Sequence, residues 1–282
     1  MRRVLMVISV ITQMLVSLAS ADELPVKGGA NRYNKTLAGM PLPESRPALG
    51  TVRGFIQSTD GVPLAGGDVY FFNEVTGPSP APEKYWRVPE MLGVLDEKGG
   101  FSVDLPPGRY YVGAIQRKEG QAMIGPPSVG DMYYAGNTVY DVLPDAQNNL
   151  GVIRGGKPFS FDISAERDGV TAIEGSVLDL AGKAVESALV FAHKKQEMTD
   201  RPLFVSTRTG KDGVYRLRVS GGGVFYLRVR NSYGGGMPVS GAIMGVYGGD
   251  NPKAVTVKKG EVLKGINLTG IEFVKPNNNS PN

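Results

Sequence analysis

Residues 96–105 read DEKGGFSVDL, and residues 211–219 read KDGVYRLRV. Each leaves a glycine-containing turn and enters strict alternation. Phe101, Val103 and Leu105 are separated by Ser102 and Asp104, and Tyr215, Leu217 and Val219 by Arg216 and Arg218. A period of two marks a strand with one buried face. A turn follows in both places, PPG at 106–108 and SGGG at 220–223, then a second apolar run, GRYYV at 108–112 and GVFYLRV at 223–229. The pattern predicts the same hairpin twice.

The repetition extends outward from these stretches. Residues 54–64 (GFIQSTDGVPL) align without a gap with residues 175–185 (GSVLDLAGKAV), and DVYF at 68–71 answers LVFA at 189–192. YAG at 134–136 is answered by YGG at 247–249. Two-strand endings follow: Val152 and Ile153 with Phe159, Phe161 and Ile163, against Val255 and Val257 with Val262, Ile266 and Leu268. No long window carries a 3.6-residue period. Short strands with Gly and Pro punctuation between them predict an all-β chain of two tandem sandwiches, at 49–168 and 169–275, with about seven strands each.

The flanks read differently. Met1, Arg2 and Arg3, an apolar run to Leu18, and Ala19-Ser20-Ala21 have the layout of a cleaved signal peptide over 1–21. The run is short for a membrane span of ~20 residues, so the mature chain is expected to be exported, periplasmic or extracellular. Residues 22–48 read as an extended leader and 276–282 as a polar tail. Asn34 and Asn267 stand in Asn-x-Ser/Thr-type sites, which matter only in a host that glycosylates exported proteins.

Composition narrows the chemistry. The 282 residues carry a net charge of +4, which falls to +2 without Arg2 and Arg3, with no cysteine and a single histidine. That balance argues against nucleic acid as a partner. It leaves no disulfide, thiolate nucleophile, Cys-ligated zinc or c-type haem.

The order G-x-[VI], a D-G or A-G turn, P-L or A-V, D-x-x-G-x-[FY]-x-[VL], then P-P-G-x-Y-x-V resembles the carboxypeptidase regulatory-like, transthyretin-like modules. Its residues here are Gly54, Asp60, Gly61, Pro63, Leu64, Asp96, Gly100, Phe101, Val103 and Leu105, then Pro106, Pro107, Gly108, Tyr110 and Val112. The second copy departs where Ser220, Gly221 and Gly222 replace the Pro-Pro. The resemblance covers about 48–275 and implies prealbumin-like Greek-key sandwiches that act as accessories, by folding, docking or spacing. It does not imply an active site here. Metallocarboxypeptidases bearing such modules need two His and a Glu, transthyretin-like hydrolases need several His and a Tyr-Arg-Gly-Ser end, and related adhesin modules that form Lys–Asn isopeptide bonds need a Glu where Leu105 and Val219 stand. His193 reads as a solvated or hydrogen-bonded strand residue. Asp96, Glu97 and Asp212 read as turn residues and not a calcium cage. Gly234 to Gly236 form no phosphate loop. No catalytic residue, metal or cofactor is expected.

Two surfaces remain. If the hairpin of the second copy forms, Arg216, Arg218, Arg228 and Arg230 share one face of two adjacent strands. Like charges across strands are unfavourable, so either an anionic ligand or partner compensates, or Glu174, Asp179 or an acidic face of the first copy does. In the first copy Tyr85 and Trp86 follow PSPAP at 78–82. Exposed, they can stack on sugars or anchor a partner; otherwise they fill a core or an inter-module contact. The expectation is a non-catalytic binding or scaffold protein docking onto a cell-envelope or surface assembly, with carbohydrate binding through the aromatics of the first copy as the alternative.

Overall fold

The computed structural model describes residues 48–118, 124–160, 170–233 and 237–274. The expected signal peptide, nearly all of the leader, Phe161, Ile163, the 234–236 glycines and the tail lie outside the described residues. Among the described residues every regular element is a strand. No helix among them is long and apolar enough to cross a membrane.

Seven strands occupy the first half: β1 (Gly50–Ser58), β2 (Asp68–Asn73), β3 (Met91–Val94), β4 (Gly100–Leu105), β5 (Gly108–Gln116), β6 (Met132–Val142) and β7 (Gln147–Pro158). Ten occupy the second: β8 (Thr171–Leu178), β9 (Leu189–His193), β10 (Phe204–Val205), β11 (Val214–Val219), β12 (Gly223–Arg230), β13 (Ala242–Val246), β14 (Val255–Val257), β15 (Val262–Leu263), β16 (Leu268–Thr269) and β17 (Ile271–Phe273).

The two halves pair their strands the same way. One layer runs β4-β1-β7 and answers β11-β8-β15, with β16 also on β8; the other runs β3-β2-β5-β6 and answers β10-β9-β12-β13. β1 pairs β7 in parallel, as β8 does with β15 and β16. Near its end β7 leaves β1 and sets Lys157 and Pro158 against Tyr133 and Met132 of β6, which joins the two layers into one ladder. In the second half this long strand is broken: β15 and β16 stay on β8, and β17 pairs β13.

Alternation places the cores. Val52 and Ile56 of β1 and Phe101, Val103 and Leu105 of β4 face Val69 and Phe71 of β2 and Val112 of β5. Ile173, Val177, Tyr215 and Leu217 likewise face Val190, Ala192, Phe225 and Leu227 in the second sandwich. The turn glycines are matched as well. Gly99 (φ 72°) and Gly213 (φ 70°) hold conformations that L side chains rarely adopt. A Cβ on either would meet a carbonyl oxygen, that of Ile56 at 2.5 Å or that of Val177 at 2.6 Å.

The expected hairpins do not form. β4 pairs only β1, while β5 pairs β2 and β6. β11 pairs only β8, while β12 pairs β9, β13 and β14. Each connection crosses the core from one layer to the other. Alternation states which face of a strand is buried but not which strand lies beside it. Two strands facing each other across a core show the same pattern as two strands side by side.

Candidate functional site

The arch between β11 and β12 disperses the four arginines. Arg216 and Arg218 leave the core from one layer and Arg228 and Arg230 from the other, so the repulsion a hairpin would impose is removed by topology. Arg216 stands opposite Glu174 in the β11–β8 register, with its Nε 3.0 Å from the carboxylate. Glu174 thus supplies the compensation for that residue. Arg218 donates from Nη1 to the Glu83 carbonyl, 3.3 Å away, in the other half of the chain. Arg228 is half-buried, and burial first, with Arg230 beside it, pulls its pKa down while Asp200 opposes.

Tyr85 and Trp86 are not exposed; they retain 9% and 8% of their accessible surface. They belong to the insert between β2 and β3, which is fixed from within by Arg87. That guanidinium is 1% exposed and donates to the carbonyls of Asn73, Gly77 and Pro78, to the Thr76 hydroxyl and to Glu90. Around this staple the insert joins the second half as an extra edge segment. Val88 N–H donates to Leu203 at 2.9 Å and Val205 N–H to Trp86 at 3.1 Å, while Arg87 bridges Phe204. Tyr85 enters the second core, its ring 5.4 Å from that of Phe204. Trp86 packs edge-on against Tyr70 at 6.0 Å in a cluster that also holds Phe72, Leu189, Phe191 and Val205. β9 is consequently buried along its whole length. Its Val190 and Ala192 face their own core, and Leu189 and Phe191 face the first half.

A cleft of about 210 Å³ opens at this seam, lined by Tyr85, Trp86, Phe159 and Val205 with Arg216 and Arg218. Pro82, Pro126 and Pro127 contribute further apolar wall, and Thr207 a hydroxyl. Two expected site pairs, far apart in the chain, thus meet here, whereas Arg228 and Arg230 do not line it. Pro126, Pro127 and Val205 carried no signal in the sequence, because a wall made by loops of two halves has no period.

Other buried ionisable groups are engaged by their neighbours. Asp131 is fully buried; it pairs with Arg117 at 2.8 Å and accepts from the N–H groups of Lys118 and Ser128. His193 is 3% exposed, with Nδ1 3.1 Å from the Asp200 carbonyl, and burial lowers its pKa. Tyr133 donates to Glu83, which also pairs with Lys157; burial and then that bond push the phenol to about 12. Among the described residues no three His, Asp or Glu side chains gather as a metal site would require.

No family model matches the chain, and no curated protein matches it. Solved structures similar to it include a streptococcal ancillary pilin at 14% identity, over 82% of this chain and 64% of that one. The TIE protein of Bacillus anthracis matches at 15% over 80% and 34%, and GBS52, the minor pilin of Streptococcus agalactiae, at 12% over 82% and 100%. The TM-score is 0.25 in each case. The chain therefore spans less than two thirds of the length of the first two. At such scores the functional reading rests on geometry alone.

Proposed function

We propose that the chain is an exported, non-catalytic scaffold of two carboxypeptidase regulatory-like sandwiches, bounded at 49–168 and 169–275, that docks onto a cell-envelope or surface protein assembly. The observation that carries this reading is the seam. The first half gives Tyr85, Trp86 and the backbone of Val88 to the second, and an apolar contact of this kind holds two modules as one spacer. The buried charges support it, since Arg87, Asp131 and His193 are each engaged by groups of their own loops. Export rests on the residue pattern of 1–21.

Sugar stacking through Tyr85 and Trp86 needs an open ring face, and both rings are buried. Crosslinking in intact cells followed by purification of the tagged full chain tests the scaffold reading. A defined envelope protein recovered in constant ratio to the chain is expected. Recovery of the chain alone, at every crosslinker concentration, sinks the reading.

A further inference from the structure

The seam uses the outer face of β2, β5 and β6, where Tyr70, Phe72, Ile115 and Tyr133 join Leu189 and Phe191 of the second half in one buried cluster. The layer β4-β1-β7 lies on the other side of the first core. Near the centre of its outer face stands Phe55, which is 43% exposed. Its register partners are Gly100 on β4 and Val152 on β7, the latter 53% exposed. A Cβ on Gly100 would stand 3.1 Å from Phe55 Cε1, so the glycine gives the ring room to lean over β4. The second copy has no such ring, since its aligned residue is Ser176.

Polar side chains are ordered around the ring. Arg53 Nε donates to Ser102 Oγ at 3.3 Å, Arg154 Nε to Gln57 Oε1 at 3.1 Å, and the Thr51 hydroxyl to Asp104 at 2.7 Å. Each bond joins two strands and holds its side chain over the sheet. A guanidinium has five N–H groups, so among the described residues both arginines keep their Nη forks for a ligand. Arg53 and Gln57, the register partner of Arg154, lie ~13 Å apart along β1 with Phe55 midway. The face therefore presents charge of both signs beside an open ring. An acidic protein surface would meet Asp104 as well as the arginines, and like charges brought together are costly. Sugar hydroxyls both donate and accept, so they suit forks and carboxylate alike. The C–H face of a sugar ring complements the negative face of an aromatic one. On an open sheet, water serves the hydroxyls that no side chain reaches.

We propose that the outer face of β4-β1-β7 binds a neutral polysaccharide. One sugar ring stacks on Phe55, and hydroxyls along the chain are held by Arg53, Arg154 and Asp104. This goes beyond the scaffold reading and does not rest on it, because the seam and its buried rings take no part.

The full chain is applied to an array of neutral glucose, mannose and N-acetylglucosamine oligomers, with uronate and sulfated oligomers as the charged arm. Binding to a neutral series that persists at high salt is expected. Phe55→Ser should weaken it about tenfold, the scale of one aromatic contact. Phe55→Tyr should retain it, and Arg154→Ala should weaken it severalfold. Each variant is first checked for an unchanged melting temperature. If Phe55→Ser melts early, Arg154→Ala decides alone, since that side chain is exposed. The proposal is overturned if no neutral oligomer binds, if only charged ones do, or if Phe55→Ser and Arg154→Ala bind like the wild type. A blank array together with loss of the crosslinked envelope protein from Phe55→Ser would make this face a protein contact, and also ends it. The scaffold reading is decided by the crosslinking experiment, whatever the array shows.

Discussion

Asp68 opens β2 beside the seam, and its carboxylate accepts from the Tyr70 hydroxyl at 3.4 Å. Burial pushes its pKa from 3.8 up to about 6, with Arg117 and then Tyr70 pulling the other way. A raised carboxyl pKa means that the folded chain binds the proton more tightly than the unfolded one. Ionised Asp68 therefore costs stability above about pH 6, and that stability returns as the pH falls toward 4. A full shift of this size corresponds to ~3 kcal/mol. The side chain is partly open to solvent, which reduces the cost to about 1 kcal/mol. Asp68→Asn is expected to raise the melting temperature by roughly 2–4 °C at pH 7.5 for a chain of this length and to leave it unchanged near pH 3, below both the folded and the unfolded values. Equal shifts at both pH values, followed by circular dichroism, would show that the charge is not the cause.

At the scale of elements, the strand pattern was legible and the neighbours were not. Alternation at 101–105 and 215–219 identifies strands and their buried faces correctly, because a period of two is local. That β11 lies beside β8 and not β12 is decided across the core, by contacts some forty residues distant in the chain. The like-charge conflict among Arg216, Arg218, Arg228 and Arg230 was the one local hint against a hairpin. The insert was legible only as a choice: Tyr85 and Trp86 fit either exposed rings or a core or inter-module contact, and the burial of both rings matches the second. Its edge contact can be tested alone. Val88→Pro deletes the N–H that donates to Leu203 and leaves a seam carbonyl unpaired, whereas Val88→Ala keeps the N–H and loses only packing. The proline variant should be the less stable of the two by about 1–3 kcal/mol, the cost of an unsatisfied buried group. Equal denaturant midpoints for the two variants would remove the backbone bridge from the account.

For the whole molecule the question is whether two sandwiches behave as one. Each has its own core, so each is a candidate folding unit. Yet Tyr70, Phe72 and Trp86 from one half and Leu189, Phe191 and Val205 from the other share a single buried cluster. An aromatic side chain buries ~150–250 Å², and at ~25 cal/mol/Å² each ring gains about 4–6 kcal/mol as an upper bound. Three such rings approach the entire stability of a domain, ~5–15 kcal/mol. Separation of the halves should therefore be about as unfavourable as unfolding one of them. The intact chain is expected to melt in a single calorimetric transition whose calorimetric and van't Hoff enthalpies agree. The halves produced separately, 49–168 and 169–275, should melt lower than the intact chain and associate with each other when mixed, since each carries the complement of the other's apolar face. Two resolved transitions in the intact chain, at the temperatures of the separate halves, would mean that the seam couples nothing, and the spacer role proposed for it would go with it.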